Sequence, residues 1–190
     1  MNGFDEAIAR GFAQLAQNAG GFFSPFFYGV TLLGNYGVFF IATSLVLLLF
    51  KKTRKAGIVA LSAIALGYLL GNLLLKNVIA RPRPYADDSS VYHSWWVATG
   101  SLSERSYSFP SGHATIAAAF GVSLFLSFPK KWSWAFLSLP LLMGASRVYF
   151  MVHYASDVLG GMMVGTAMAV VAYFLVRWLL RRSRFEKETA

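Results

Sequence analysis

The sequence contains no cysteine, and only 13% of its 190 residues are charged. Without cysteine, a disulfide framework and a thiolate metal site are both excluded. A water-soluble domain carries about 25% charged residues, so this chain has too few charges to cover a surface exposed to water. The 56% content of hydrophobic residues and the mean hydropathy of +0.53 therefore indicate a membrane protein.

Acidic residues are especially scarce. The sequence has eight of them and seventeen basic residues, so the net charge is +9. The basic residues lie between hydrophobic runs, where membrane topology explains them better than nucleic-acid binding does. The acidic pair Asp87 and Asp88 lies in a loop without a carboxylate-rich cluster, so a Mg²⁺ site is poorly supported. We expect no metal, no cofactor and no nucleic-acid partner.

Hydrophobic runs predict an all-α transmembrane helix bundle. Most of them approach the roughly 20 residues that cross the hydrocarbon core of a bilayer. The runs cover approximately 33–50, 56–75, 112–128, 133–146 and 158–180. Residues 22–33 are apolar but interrupted, and they either extend the first span or form a sixth. The sequence thus predicts five to six spans.

The first residues of the chain have a different pattern. Phe4, Ile8, Phe12 and Leu15 recur at helical spacing with polar residues opposite, so an amphipathic helix is expected to lie on the membrane surface. No repeat or linker is visible. We therefore predict a single domain over residues 1–190. Its parts are an interfacial helix (1–21), a transmembrane bundle (22–180) and a cytoplasmic tail (181–190).

The distribution of positive charge predicts the orientation. With five spans, eleven of the seventeen basic residues fall on the side that carries the C-terminus. Cytoplasmic segments carry the excess of lysine and arginine. The C-terminus is therefore expected in the cytoplasm, and the segments 76–111 and 147–157 are expected outside. Three polar clusters lie on that outer side, and charges at a membrane edge indicate function.

Three cations in these clusters have few carboxylates near them in the sequence: Lys76, Arg83 and Arg147. Guanidinium and ammonium groups suit a phosphate dianion and the charge that develops during phosphoryl transfer. The second cluster, FPSGH, opens a predicted helix whose first N–H groups and Ser111 hydroxyl can bind an anion. Gly112 permits close approach, and His113 is placed to protonate a leaving oxygen.

The third cluster contains His153 and Asp157, which are four residues apart and would share one face of a helix. A carboxylate that accepts from one imidazole nitrogen fixes the tautomer and leaves the other nitrogen free as a nucleophile. Arg81 is not needed in this scheme, and we expect it at the interface or rim.

The three clusters resemble the signature motifs of the type 2 phosphatidic acid phosphatase (PAP2) superfamily. The family patterns K-x6-RP, PSGH and SR-x5-H-x3-D are all complete in this chain between residues 76 and 157. They are Lys76-x6-Arg83-Pro84, Pro110-Ser111-Gly112-His113 and Ser146-Arg147-x5-His153-x3-Asp157. Three motifs in the right order are far more specific than any one of them alone.

The resemblance implies a role for each motif residue. His153 would attack phosphorus and form a phosphohistidine, Asp157 would orient it, and His113 would protonate the leaving group. Phosphate would be bound by Lys76, Arg83, Ser111, Gly112 and Arg147. Members of this family are typically metal-independent, and the membrane-bound ones hydrolyse lipid phosphates.

The expected function is therefore hydrolysis of a lipid phosphate at the outer face of a bacterial inner membrane, with undecaprenyl diphosphate as the first candidate substrate. Phosphatidylglycerol phosphate, phosphatidate and lipid A phosphate are alternatives. A lipid phosphotransferase would use the same site with another acceptor. The vanadate haloperoxidases have a similar site but are large and soluble. A non-catalytic protein or a transporter fits less well, because no motif residue is lost and the charges cluster at one face. The oligomeric state stays open.

Overall fold

The computed structural model describes the backbone of residues 3–188 and the side chains of residues 3–182, so the end of the predicted tail lies outside the described residues. Over residues 3–188 the chain is helical and has no strand, which confirms the all-α prediction. The helices are α1 (Gly3–Gly34), α2 (Val38–Leu49), α3 (Arg54–Gly67), α4 (Lys76–Ile79), α5 (Val91–Ala98), α6 (Gly112–Ser127), α7 (Lys130–Ser133), α8 (Ser138–Tyr149) and α9 (Ala155–Glu188).

Several of these helices join into membrane-length rods. Three stretches are long and apolar enough to cross a bilayer, namely Gly3–Leu49, Arg54–Ala86 and Ala155–Arg182, and α6 is a shorter apolar helix. A short 3₁₀ turn, Trp134–Leu137, leads into α8. The five hydrophobic runs of the sequence therefore correspond to α2, α3 with its extension, α6, α8 and α9.

Residues 22–33, which the sequence left open, are helical and belong to α1. Helix α1 passes through Pro25 with one kink, at Ala19 (φ −142°, ψ 25°). A turn at Asn35–Gly37 then separates α1 from α2, and Tyr36 and Gly37 have positive φ there. The first membrane rod therefore begins before residue 33 and bends in its middle.

The predicted amphipathic stripe of α1 divides between two environments. Phe4 and Ile8 are exposed, whereas Phe12 packs edge-on against Phe27 at 6.2 Å and against Tyr149 at 6.4 Å between ring centroids. The first half of α1 is therefore docked on the bundle as well as amphipathic, because its buried side also contacts α5.

Helix α6 lies at the centre of the bundle. Most of its residues are buried, and many of them are alanines. The small residues let α3 and α9 approach closely. A Cβ at Gly161 of α9 would lie 2.5 Å from the carbonyl oxygen of Ser111, and one at Gly67 would lie 3.2 Å from Cγ2 of Thr115. This tight packing fixes the start of α6 against the start of α9.

A π-helical stretch, Tyr68–Leu75, joins α3 to α4. Such widened turns are rare in helices and are frequent at functional sites. Here the stretch carries Asn72, and Lys76 begins α4 immediately after it. The rod α3–α4 thus delivers its polar residues to the end of the bundle where α6 and α9 begin.

Candidate active site

The three motifs meet around one cavity of about 960 Å³. Its walls come from the α1–α2 turn, the π-helical stretch, the loop before α6, the first turn of α6 and the end of α8. Six of the eight predicted site residues line this cavity: Lys76, Arg83, Gly112, His113, Arg147 and His153. Ser111 and Asp157 are fully buried and contact residues of the cavity wall from behind.

The three predicted cations are buried at this site. Lys76 and Arg83 are each 6% exposed, and Arg147 is 0% exposed. The ammonium group of Lys76 donates to Oγ of Ser106 at 3.3 Å. Arg147 forms an ion pair with Glu104 through Nη2, but among residues 3–182 nothing accepts from its Nε or Nη1. A buried guanidinium with unused donors is costly unless an anion meets it.

Arg83 uses its donors differently. Its Nε donates to the carbonyl of Ser106 at 2.7 Å, and its Nη1 donates to the carbonyl of Val152 at 2.7 Å. Nη1 also lies 3.3 Å from Nε2 of His153. Arg83 therefore fixes the loop before α6 and faces the imidazole nitrogen that points away from Asp157.

His153 and Asp157 come together by a local structure that differs from the expected one. His153 precedes α9 and is not helical, so the prediction of a shared helix face is wrong. Asp157 is the third residue of α9, and its Oδ2 accepts from the backbone N–H of Tyr154 at 2.9 Å. An acidic side chain at this position commonly reaches back to cap the helix. The cap holds the carboxylate beside His153.

Ser108 completes the link between these two residues. Nδ1 of His153 lies 3.7 Å from Oδ2 of Asp157, which is longer than a hydrogen bond. The Ser108 hydroxyl donates to that Oδ2 at 2.5 Å and lies 3.4 Å from Nδ1 of His153. Carboxylate, hydroxyl and imidazole thus form one buried polar cluster.

The surroundings of His153 favour the neutral form of its imidazole. Burial lowers the pKa of His153 well below its ordinary value, and the nearby cations Arg83, Arg147 and Lys76 lower this pKa further. A neutral ring has a free lone pair, which a nucleophile needs.

The start of α6 carries the PSGH motif. Ser111 is the N-cap of the helix, and its Oγ accepts from the N–H of Ala114 at 3.5 Å. Its hydroxyl therefore serves the helix end, while Gly112 and His113 line the cavity. A Cβ at Gly112 would lie 2.9 Å from Oδ1 of Asn72, so a larger residue here would require the Asn72 side chain to move. Nε2 of His113 lies 3.3 Å from Oδ1 of Asn35 in the α1–α2 turn.

Several residues at the site were missed in the sequence. Glu104 pairs with Arg147, and its Oε2 lies 4.0 Å from Nη2 of Arg83. It is the one acidic residue between Asp88 and Asp157 in the sequence, and this isolation among cations was the available signal. Ser106 and Ser108 carried no signal, because serines are common in loops.

Arg81 is not a rim residue. Its Nη1 donates to Oδ1 of Asp157 at 2.7 Å, and its Nη2 donates to Oδ2 of Asp5 at 3.1 Å. Arg81 forms these two ion pairs instead of lying at the interface or rim as expected, because both carboxylates are buried beside it. Among the side chains of residues 3–182, no group of three or more His, Asp or Glu is placed to hold a metal ion.

Comparison with known proteins agrees with this geometry. Residues 55–181 match the model of the PAP2 superfamily. The chain belongs to the PAP2 superfamily. With its membrane-length helices, it is an integral membrane protein.

An undecaprenyl-diphosphatase of Sulfolobus acidocaldarius is 34% identical over 140 residues, which are 72% of this chain and 64% of that protein. A lipid A 1-phosphatase of Rhizobium johnstonii is 39% identical over 97 residues, which are 51% of this chain and 38% of that protein. This PAP2 chain therefore spans less than two thirds of either relative.

A solved PAP2 structure has the same fold. The crystal structure of a transmembrane PAP2-type phosphatidylglycerolphosphate phosphatase from Bacillus subtilis matches with a TM-score of 0.66 and 29% identity. The match covers 94% of this chain and 85% of that one. The match therefore extends well beyond the motif region of residues 76–157.

Proposed function

We propose that this protein is a lipid phosphate phosphatase that works without a metal, through a phosphohistidine intermediate. The observation that carries the proposal is the buried positive charge at the cavity. Lys76, Arg83 and Arg147 face it together, whereas Glu104 is the one carboxylate paired with them there among the described side chains. A phosphate dianion would neutralise the excess and accept the unused N–H donors of Arg147.

In the first step, Nε2 of His153 attacks phosphorus and the bond between phosphorus and the lipid-side oxygen breaks. His113 gives its proton to the departing oxygen. In the second step, His113 takes a proton from water, the water oxygen attacks phosphorus, and the N–P bond breaks. Inorganic phosphate leaves, and both histidines return to their starting states. Asp157 and Ser108 hold the ring of His153 and stabilise the charge that develops on it.

The phosphate oxygens would be held by Lys76, Arg147 and the first turn of α6 at Gly112. Arg83 now donates to Nε2 of His153, and we propose that this N–H turns to a phosphate oxygen when the nucleophile engages phosphorus. Ser111 would then contribute to phosphate binding indirectly, because its hydroxyl caps the start of α6 and does not have to contact the phosphate.

The cavity walls support a lipid as the substrate. Beyond the charged end, apolar and aromatic residues of α1, α2 and the α3 rod line the cavity: Tyr28, Leu32, Ile41, Leu61, Ile64 and Tyr68. Such walls suit the first part of a hydrocarbon chain whose remainder stays in the bilayer. Among lipid phosphates, undecaprenyl diphosphate is the first candidate because of the named activity of the Sulfolobus acidocaldarius relative. Phosphatidylglycerol phosphate, lipid A phosphate and phosphatidate follow.

We further propose that the site faces the outside of a bacterial inner membrane and that the C-terminus is cytoplasmic. The distribution of basic residues supports this orientation. The whole chain would form one domain, because α6 packs against helices from both ends of the sequence.

The test is phosphate release by detergent-purified protein in EDTA, from each of the four lipid phosphates. We expect release by the wild type, loss in His153→Ala, and retention in the matched control His93→Ala. Nδ1–H of His93 donates to the carbonyl oxygen of Tyr85 at 2.9 Å, and His93 is not among the cavity-lining residues. Release that requires added metal, or that survives in His153→Ala, would overturn the proposal. Transfer to an added lipid alcohol instead of water would identify a phosphotransferase.

A further inference from the structure

Asp5 is a buried carboxylate on the first turn of α1, 1% exposed. Its Oδ1 accepts from the backbone N–H of Ser156 at 2.7 Å, and its Oδ2 accepts from the Ser156 hydroxyl at 2.8 Å. Ser156 is the second residue of α9. The carboxylate thus satisfies a free N–H at the start of α9, where negative charge is stabilised.

Arg81 connects Asp5 to the site. One guanidinium nitrogen, Nη2, donates to Asp5, and the other, Nη1, donates to Oδ1 of Asp157 at 2.7 Å and to the Ser156 hydroxyl at 2.7 Å. The guanidinium carbon lies 3.9 Å from the centroid of the Tyr154 ring. The planar fork of arginine can hold two carboxylates at once in a fixed geometry.

The network occupies both oxygens of Asp157. Arg81 binds Oδ1, while the Tyr154 N–H and the Ser108 hydroxyl bind Oδ2. The rotation of the carboxylate is therefore fixed from two sides. Without Arg81, a buried anionic oxygen would lose its charged donor, and the carboxylate would turn to find another one.

We propose that Asp5 and Arg81 are positioning residues of the phosphatase reaction, which hold the Asp157 carboxylate and, through it, the ring of His153 in the orientation for attack on phosphorus. The inference rests on the function proposed above. Neither residue is among those that line the cavity, so neither would touch the substrate. The amphipathic first helix thereby becomes part of the active-site framework.

This role predicts a division between kinetic constants that a general folding role would not produce. Substrate binding depends on Lys76 and Arg147, which keep their places, so KM should stay within about twofold of wild type. A nucleophile displaced by about 1 Å can lose on the order of 100-fold in rate. We expect Asp5→Asn to lower kcat roughly tenfold, since Arg81 still holds Asp157, and Arg81→Gln to lower it by more.

The matched control is Glu6→Gln. Glu6 is the next residue of the same helix, and its carboxylate pairs with Arg10 on the exposed side at 2.6 Å. Glu6→Gln removes the same single negative charge as Asp5→Asn, but outside the network of Asp5, Arg81 and Asp157. Arg81→Lys keeps the positive charge but cannot bridge two carboxylates, so it should recover part of the kcat that Arg81→Gln loses.

The experiment measures kcat and KM of these variants in detergent, together with nitrogen NMR of the histidine rings. The chain has three histidines, so His93 and His113 substitutions assign the His153 signals. We expect Asp5→Asn and Arg81→Gln to shift the His153 ring signals, and Glu6→Gln to leave them in place. If Asp5→Asn is too unstable to purify, Arg81→Lys provides the same comparison.

Two results would overturn the inference. In the first, Asp5→Asn and Arg81→Gln have the same His153 ring signals and the same kcat as Glu6→Gln. In the second, Asp5→Asn and Arg81→Gln raise KM and leave kcat unchanged. An inactive wild type would contradict the proposed function instead. In that case the ring signals still decide whether Asp5 and Arg81 position His153.

Discussion

Glu104 should compete with phosphate for the site. Its carboxylate pairs with the buried Arg147 and lies 4.0 Å from Nη2 of Arg83. It therefore stands between the guanidinium groups that are proposed to bind the substrate phosphate. An incoming phosphate must displace it, so Glu104→Gln, which keeps the shape and removes the charge, should tighten phosphate binding.

The magnitude follows from the ion pair that binding must break. A hydrogen bond to a charged group contributes about 1.5–3 kcal/mol. The Glu104 side chain is 26% exposed, so solvent screening moves the value to the lower end of that range. Because 1.4 kcal/mol corresponds to a factor of ten, the inhibition constant of inorganic phosphate should fall about tenfold.

The assay is competitive inhibition by inorganic phosphate during lipid hydrolysis, supported by calorimetric titration of phosphate into the detergent-solubilised protein. Glu6→Gln again serves as the control for the loss of one negative charge. An unchanged or larger inhibition constant in Glu104→Gln would refute the reasoning. Glu104 would then orient Arg147 for the phosphate rather than compete with it.

Three further predictions concern pH, helix packing and the hydroxyl at the nucleophile. The pKa of His153 is held well below its ordinary value, so its ring gains a proton only at low pH. The acid limb of the kcat/KM profile should therefore lie below about pH 6.5. An acid limb above that pH would contradict a neutral His153. Gly161→Ala would bring a Cβ to 2.5 Å from the Ser111 carbonyl oxygen. It should lower the free energy of unfolding by about 1–3 kcal/mol, which thermal unfolding in detergent would measure. The control Gly21→Ala should leave the stability unchanged, because a Cβ there meets nothing within 4 Å. Ser108→Ala removes the 2.5 Å donor to Asp157 and should lower kcat with little change in KM; an unchanged kcat would show that Asp157 orients His153 without this hydroxyl.

Hydropathy predicted the helices of the bundle because burial in lipid leaves a signal along each helix by itself. The same signal could not place residues 22–33, since it does not report that α1 continues through Pro25 or that a turn at Asn35–Gly37 separates α1 from α2. Those features depend on the packing of α1 against α8, for example the 2.7 Å hydrogen bond between Ser24 and Tyr149.

The motifs predicted six of the residues that line the cavity, because their chemistry is specific and their spacing fits a family pattern. The sequence could not predict that Arg83 donates mainly to carbonyl groups, or that Ser108 lies between Asp157 and His153. These contacts come from an irregular loop whose path is set by several helices at once. In the sequence, nothing distinguished Asp5 from the other polar residues of the predicted amphipathic helix.

The contact between Asp5 and Ser156 can form only late in the synthesis of the chain. The two residues are 151 positions apart, and ribosomes add about 5–20 residues per second, so roughly 8–30 seconds separate their synthesis. During this interval the first helix has no α9 to dock on, and its exposed Phe4 and Ile8 can rest on the bilayer surface. Helix α9 thus brings both Asp157, the carboxylate beside His153, and Ser156, the partner of the first helix. A nascent chain that ends before α9 should therefore be unable to cleave lipid phosphates.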